Sequence, residues 1–232
     1  MKVIVNVSGG KDSTVAVLET LKLYPPEDIT LCWQDTGAEY AETEAHVKLL
    51  AETWGLPLVT LRHELGFFGL AEKRGYWPTP DCRQCTHYLK QHVFSKWLRA
   101  NRGDSATLVV VSGIRADESA ARGKLPPLRI SGELSTKTQT VTLWNPCLDM
   151  TAEQVFDRIA AEGLPLHPCY EFSPRCSCWL CMFQHPNVIR AYAEQRPDMY
   201  EQACNLEERI KHKWRDGLAI SDIMRQSKMV FQ

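Results

Sequence analysis

Short apolar runs rich in β-branched residues recur at residues 3–7, 29–33, 58–61 and 108–112, the length and composition of buried strands. Between them, residues 12–22, 41–54 and 87–102 carry the spacing of amphipathic helices. Strand–helix alternation predicts βαβ units, hence an α/β fold with a doubly wound, mostly parallel sheet. Ligands of such sheets sit beyond the carboxyl ends of the strands. Segments 8–13, 34–39 and 113–122 all follow strands and are expected to face one crevice. After about residue 145 the pattern changes. Asn145-Pro146 is a turn signal, and Thr151 with Gln154 predicts a capping box for a helix to about Glu162. A Pro-rich, cysteine-rich stretch follows, and then a helical pattern over 188–214 that finishes in the basic run RIKHKWR. The expected organisation is an α/β domain over 1–145 and a small helical, cysteine-containing region over 146–232 packed on it.

Composition narrows the class. A chain of 232 residues with net charge −1 has no global affinity for nucleic acid, so any such contact needs a local basic patch. The run at Arg209–Arg215 is ordinarily a solvated helix face, with nucleic-acid contact the alternative. The first residues form neither a signal peptide nor a membrane span, which points to a cytoplasmic chain with no membrane partner. Nine cysteines are many. Without a secretion signal they are expected to be reduced, dividing between inert core thiols and metal or redox sites. Cys32, Cys147 and Cys204 read as core or incidental, whereas Cys82, Cys85, Cys169, Cys176, Cys178 and Cys181 cluster. Of the seven histidines, His167 and His185 flank that cluster and read as ordinary hydrogen-bonding residues.

The stretch VSGGKDS after the first strand raises the main chemical question. It is neither a Walker A motif nor the GxGxxG fingerprint, yet its physics is related. Gly9 and Gly10 open the backbone to an anion, and the helix beginning near Asp12 adds its positive end. Lys11 supplies a mobile charge, and Ser8 and Ser13 supply hydroxyl donors. A plain Gly-Gly turn is the alternative.

SGGKDS resembles the pyrophosphate-binding loop of the ATP pyrophosphatase (PP-loop) superfamily. Within it the chain is similar to the phosphoadenosine-phosphosulfate reductase family and its DNA-phosphorothioation sulfur-insertion relatives. Asp35-Thr36-Gly37 with Glu39, the GYWPTPDCRQCTHYLK segment, Gly113–Arg122, the Asn145-Pro146 turn and the Cys178-Trp-Leu-Cys181 ending carry the likeness in order. The resemblance implies an adenine nucleotide alpha hydrolase-like fold and a bound adenine nucleotide, ATP or phosphoadenosine phosphosulfate. It assigns Lys11, Asp12 and Arg115 to catalysis. Ser8, Gly9, Gly10, Lys11, Asp12, Ser13, Asp35, Glu39, Glu118 and Arg122 become nucleotide contacts. Asp35 and Glu39 would act through Mg2+ or on ribose hydroxyls, or else are turn acids at a strand end.

Cys82-Arg-Gln-Cys85 and Cys178-Trp-Leu-Cys181 are two C-x2-C pairs able to give four thiolates to zinc or to an iron–sulfur cluster. Buried thiols without metal are the structural alternative. Spacing does not choose between the metals; the resemblance favours [4Fe-4S], with zinc as alternative. The family segment matches at Cys85, the cysteine before threonine. Cys82 is taken as the fourth ligand, and Cys176 or Cys169 are its alternatives.

Three functions compete. The first is an enzyme of sulfur metabolism that splits ATP between its α and β phosphates to activate an acceptor, such as nucleic acid, for sulfur transfer. A sulfur-donor protein such as a cysteine desulfurase is then an expected partner. The second is a sulfonucleotide reductase; such enzymes use a cysteine in a Glu-Cys-Gly-x-His tail, whereas this chain closes in RQSKMVFQ. The third is a metal-stabilised binding module with a vestigial loop. The first is the expectation.

Overall fold

The computed structural model describes residues 1–225. Residues 226–232, which carry most of the RQSKMVFQ tail, lie outside the described residues. Six strands form one sheet: β1 (Lys2–Val7), β2 (Ile29–Asp35), β3 (Leu58–Arg62), β4 (Thr107–Ser112), β5 (Leu128–Ile130) and β6 (Thr140–Trp144), in the order β3-β2-β1-β4-β6-β5. All neighbours are parallel except the edge pair β5–β6. The central strand β1 is apolar on both faces because both faces are covered. Val3, Val5 and Val7 pack with Val15, Leu31 and Val111 on one side, and Ile4 packs with Cys32, Leu98 and Val110 on the other. Cys32 and Cys147 are fully buried, as core thiols should be.

Strand order reverses between β1 and β4, so the crevice of an open α/β sheet opens there. Helix α1 (Lys11–Leu21) leaves β1 on one side of that switch point, and Gly113 leaves β4 on the other. Helices α2 (Thr43–Trp54) and α3 (Gly66–Arg74) follow β2 and β3. The expected helix over 87–102 divides into a π-helix, Cys85–His92, and α4 (Val93–Ala100). Helix α5 (Ala152–Ala161) begins at the Thr151–Gln154 capping box that the sequence predicts.

The helical pattern of 188–214 is not one helix. Pro197 lacks the N–H that would continue the ladder, so α6 (Pro186–Gln195) stops and α7 (Pro197–Ile210) starts there. A last helix, α8 (Ile220–Arg225), closes the described chain. The basic run is no single helix face either, since α7 ends at Ile210 and Lys211 turns left-handed at φ 53°. Beyond it Trp214 is buried, Arg215 stacks on its ring at 4.0 Å, and buried Glu207 accepts the N–H groups of Trp214 and Ile220 at 2.6 and 2.7 Å. Among the described residues no helix is long and apolar enough to cross a membrane.

Candidate nucleotide and cysteine site

The loop after β1 turns through Gly9 at φ +74°, a conformation glycine takes without strain. Ser13 Oγ donates to Gly10 O at 2.8 Å and accepts the Ser8 N–H at 3.1 Å, tying the loop into a ring. Helix α1 begins without a side-chain cap. Its Lys11 N–H is held at 2.9 Å by the hydroxyl of Tyr170, a residue 159 positions away. Uncapped first-turn N–H groups beside a glycine turn are the ordinary setting for a phosphate.

Charge at this loop is balanced within the protein. Lys11 Nζ pairs with Asp12 Oδ2 at 2.7 Å, and Arg115 Nε pairs with Asp12 Oδ1 at 2.6 Å. The Arg115 guanidinium also contacts Asp117. Lys11 and Arg115 are both 6% exposed. Two cations and two carboxylates sum to zero, so these four side chains bring no net charge to the loop. Gly113 makes the close approach of the two loops possible: a Cβ there would lie 2.4 Å from the carbonyl carbon of Asp12. Glu118 accepts the Arg115 N–H at 2.9 Å and pairs with Arg122, so these two brace the Arg115 loop from its exposed side.

Asp35 and Glu39 have protein partners. Asp35 accepts from Arg62 Nε at 2.5 Å and from the Gly37 N–H at 2.9 Å. Burial opposes its charge, yet Arg62 and the turn hold the carboxyl below the usual aspartate range. Glu39 staples the same turn through the N–H and hydroxyl of Thr36 at 3.0 and 2.8 Å. Burial raises its pKa. Both acids are tied into the turn after β2.

The cysteines fall into two groups. Cys178 lies 3.7 Å from Glu39 and 3.4 Å from Thr36 Oγ1, and Arg175 reaches Cys181 at 3.8 Å. Lys90 stands among Cys178, Glu39, Cys85 and Cys181; burial works against its charge, but these neighbours outweigh burial and raise its pKa. The π-helix explains why Cys85 and Lys90 face the same place. A π-helix bonds residue i to i+5 and so stacks them, whereas an α-helix at about 100° per residue would separate them by about 140°. Cys82 is exposed on the loop before that helix, with Tyr76 OH 3.6 Å away. No group drawn from these four closes tightly. Among the described residues the one set of ligand atoms lying within 4.8 Å of one another is His167, Cys169 and Cys176.

That set borders the phosphate loop, and sequence reading missed its position. Cys176 Sγ is 3.8 Å from Ser8 O, and a Cβ on Gly10 would meet Cys176 Cβ at 3.2 Å. His167 makes the ordinary hydrogen bonds expected of it: Nδ1 accepts the Cys169 N–H at 3.0 Å, and Nε2 meets Thr43 Oγ1 at 3.0 Å. His46 stacks edge-on against His167 with centroids 5.1 Å apart, and its Nε2 is buried without a partner. Burial, with the His167 ring beside it, lowers its pKa to about 4. The proline turn before Cys169 was the available signal; its packing on a loop 160 residues earlier had none.

The fold is an open α/β sheet in which a glycine turn and a helix start face the switch point. The chain belongs to the phosphoadenosine phosphosulfate reductase domain family, a family of enzymes, whose model matches residues 2–181. Two uncharacterized proteins of Methanocaldococcus jannaschii are 29% and 28% identical over 93% and 91% of this chain. Those alignments cover 44% and 46% of the relatives, so the chain spans about half their length. Among solved structures, the phosphoadenylyl-sulfate reductase of Candida auris in a phosphate complex superposes with TM-score 0.52 at 16% identity, covering 74% of this chain and 77% of that one. The U34-tRNA thiolase NcsA of Methanococcus maripaludis, solved with its [4Fe-4S] cluster, gives 0.51 at 16% identity over 98% of this chain and 73% of that one. FMN adenylyltransferase of Candida glabrata with FMN and an ATP analogue gives 0.51 at 15% identity over 74% and 52%. At these identities the likeness is one of fold.

Proposed function

We propose that this chain is an adenine-nucleotide-dependent enzyme of sulfur metabolism, activating an acceptor by splitting ATP between its α and β phosphates. The observation that carries the reading is the loop at the switch point: uncapped α1 N–H groups, the Gly9–Gly10 turn, and Lys11 and Arg115 converging on Asp12. In that role the N–H groups and Lys11 bind the departing pyrophosphate, and Arg115 keeps Asp12 oriented beside it. Nucleic acid is the acceptor we favour, supported by the resemblance over nearly the whole chain to a tRNA thiolase fold. The region after residue 145 would act as a cysteine-bearing unit on the nucleotide domain, meeting a sulfur-donor protein.

The cysteine site fits a cluster-type group better than a single ion. Zinc bonds sulfur at about 2.3 Å in a tetrahedron, which brings ligand sulfurs within about 4 Å of one another. The Cys82, Cys85, Cys178 and Cys181 thiols stand wider than the His167–Cys169–Cys176 set. Trp179, between Cys178 and Cys181 in sequence, is fully buried and shields that turn from solvent. Lys90 offers a positive charge to an anionic centre. Cys85, Cys178 and Cys181, with Cys82, would hold [4Fe-4S], which supplies sulfide and redox capacity; the chain's own contribution is to place it beside Glu39 and the nucleotide turn.

The test is a paired assay on anaerobically purified full-length chain. ATP with bulk transfer RNA or DNA should yield AMP and pyrophosphate, while phosphoadenosine phosphosulfate with a dithiol reductant should yield no sulfite. Sulfite release without ATP cleavage would establish sulfonucleotide reduction instead.

A further inference from the structure

Cys169 and Cys176 are not accounted for by the nucleotide loop or by the wider cysteine group. Their ligand atoms lie within 4.8 Å of one another and of a His167 nitrogen. A metal ion would be the first thought for such a trio. His167 argues against it, because both its nitrogens are engaged: the Nδ1 lone pair accepts the Cys169 N–H, which fixes the proton on Nε2 towards Thr43 Oγ1. With no nitrogen lone pair left, the trio reduces to two sulfurs.

Two adjoining thiols have one distinctive chemistry, thiol–disulfide exchange. The geometry points to Cys169 and Cys176 as a redox-active dithiol whose co-substrate is a disulfide compound, built into the wall of the phosphate loop. The order of events follows from exposure. Cys176 is partly exposed and Cys169 is 1% exposed, so Cys176 meets the reagent first. Its thiolate attacks a disulfide RSSR, forming Cys176–S–SR and expelling RS⁻. The Cys169 thiolate then attacks Cys176 Sγ, the bond to SR breaks, and a second RS⁻ leaves. The balance is RSSR plus two thiols giving one protein disulfide and two RSH. Closing the bond brings two sulfurs that lie within 4.8 Å of each other to the ~2.05 Å bond length. Its functional reach comes from position: Cys176 abuts Ser8 and Gly10, and Tyr170 beside Cys169 holds the Lys11 N–H. The dithiol does not depend on which nucleotide the loop takes.

The experiment exposes the anaerobic, full-length protein to glutathione disulfide and maps thiols by non-reducing digestion and mass spectrometry. The expected product is a peptide pair joined through Cys169 and Cys176, lighter by two hydrogens and restored by a dithiol. In Cys169→Ser the adduct should stop as a glutathione mixed disulfide on Cys176, and in Cys176→Ser residue 169 should stay unreacted in the folded protein. Circular dichroism of both variants checks that they fold. A joined pair drawn from other cysteines, or no joined pair at all, would overturn the proposal. So would stoichiometric zinc that both substitutions abolish and that protects the two thiols, since the trio would then be a metal site.

Discussion

Arg115 Nε donates to Asp12 Oδ1 at 2.6 Å, joining the loop after β4 to the first turn of α1 across 103 residues of sequence. The same guanidinium reaches Asp117, and Asp12 also takes Lys11, so one buried arginine sets the geometry of the phosphate loop. Replacing it leaves Asp12 with Lys11 alone. Arg115→Met should cost about 3 kcal/mol, the low end for removing one partner of a buried pair because Lys11 remains. Arg115→Lys should recover little, since an ammonium cannot serve two carboxylates with a planar fork. Urea unfolding of the three proteins measures both; a Lys variant as stable as wild type would show that only charge matters here.

Gly113→Ala should destabilise by at least ~1–3 kcal/mol, because its Cβ would lie 2.4 Å from main-chain atoms of Asp12 that cannot rotate away. Gly132→Ala is the control, with nothing within 4 Å of the new methyl. It should be neutral or slightly stabilising through the unfolded chain. Equal denaturation midpoints for the two variants would remove the close-approach argument.

Lys11→Ala should leave the fold intact and weaken ATP or pyrophosphate binding by roughly tenfold to a hundredfold, the value of a charge-assisted contact of about 1.5–3 kcal/mol. Calorimetry decides, and an unchanged affinity would reduce SGGKDS to a turn.

His46 makes stability depend on pH. Its folded pKa of about 4 lies below the 6.5 of the free side chain, chiefly through burial. Between those values the unfolded chain binds a proton that the folded one refuses, so stability falls as pH falls through that window. The expected loss from pH 7 to pH 5 is about 2 kcal/mol. His167, lowered in the same direction by burial, adds to it. Glu39 works the other way, because its raised pKa favours the folded state as it protonates. His46→Gln should flatten the urea midpoint between pH 7 and pH 5; a variant as acid-sensitive as wild type would place the dependence elsewhere.

Purified without oxygen, the protein should be brown and contain iron and acid-labile sulfide. Serine in place of Cys85, Cys178 or Cys181 should abolish both, and Cys82→Ser should lower them. Cys176→Ser should leave them unchanged, since that thiol lies with Cys169 and against the Ser8 carbonyl. Colourless protein with one zinc and no sulfide would keep a metal site and remove the iron.

Local sequence carried the elements whose causes are local. The four apolar runs became β1, β2, β3 and β4, Thr151 and Gln154 closed their capping box, and Gly9 after β1 turned the loop at a positive φ. Local pattern erred where a partner elsewhere decides. Helix α3 has glycines at 66 and 69 and a weak apolar stripe, and it starts where Thr36 O accepts the Phe67 N–H at 2.7 Å. The Pro197 break was legible in principle and was overridden by an apolar spacing that continues across it. Sequence also singled out the residues for which chemistry is proposed: the SGGKDS loop, Arg115, and the paired cysteines. What it could not determine was who meets whom. Sheet order β3-β2-β1-β4-β6-β5 brings Gly113 onto Asp12, a π-helix turns Cys85 and Lys90 to one face, and the 167–176 turn lays Tyr170 and Cys176 on a loop some 160 residues earlier. Those contacts are made by packing between distant segments, and no periodicity in a window of ten or fifteen residues encodes them.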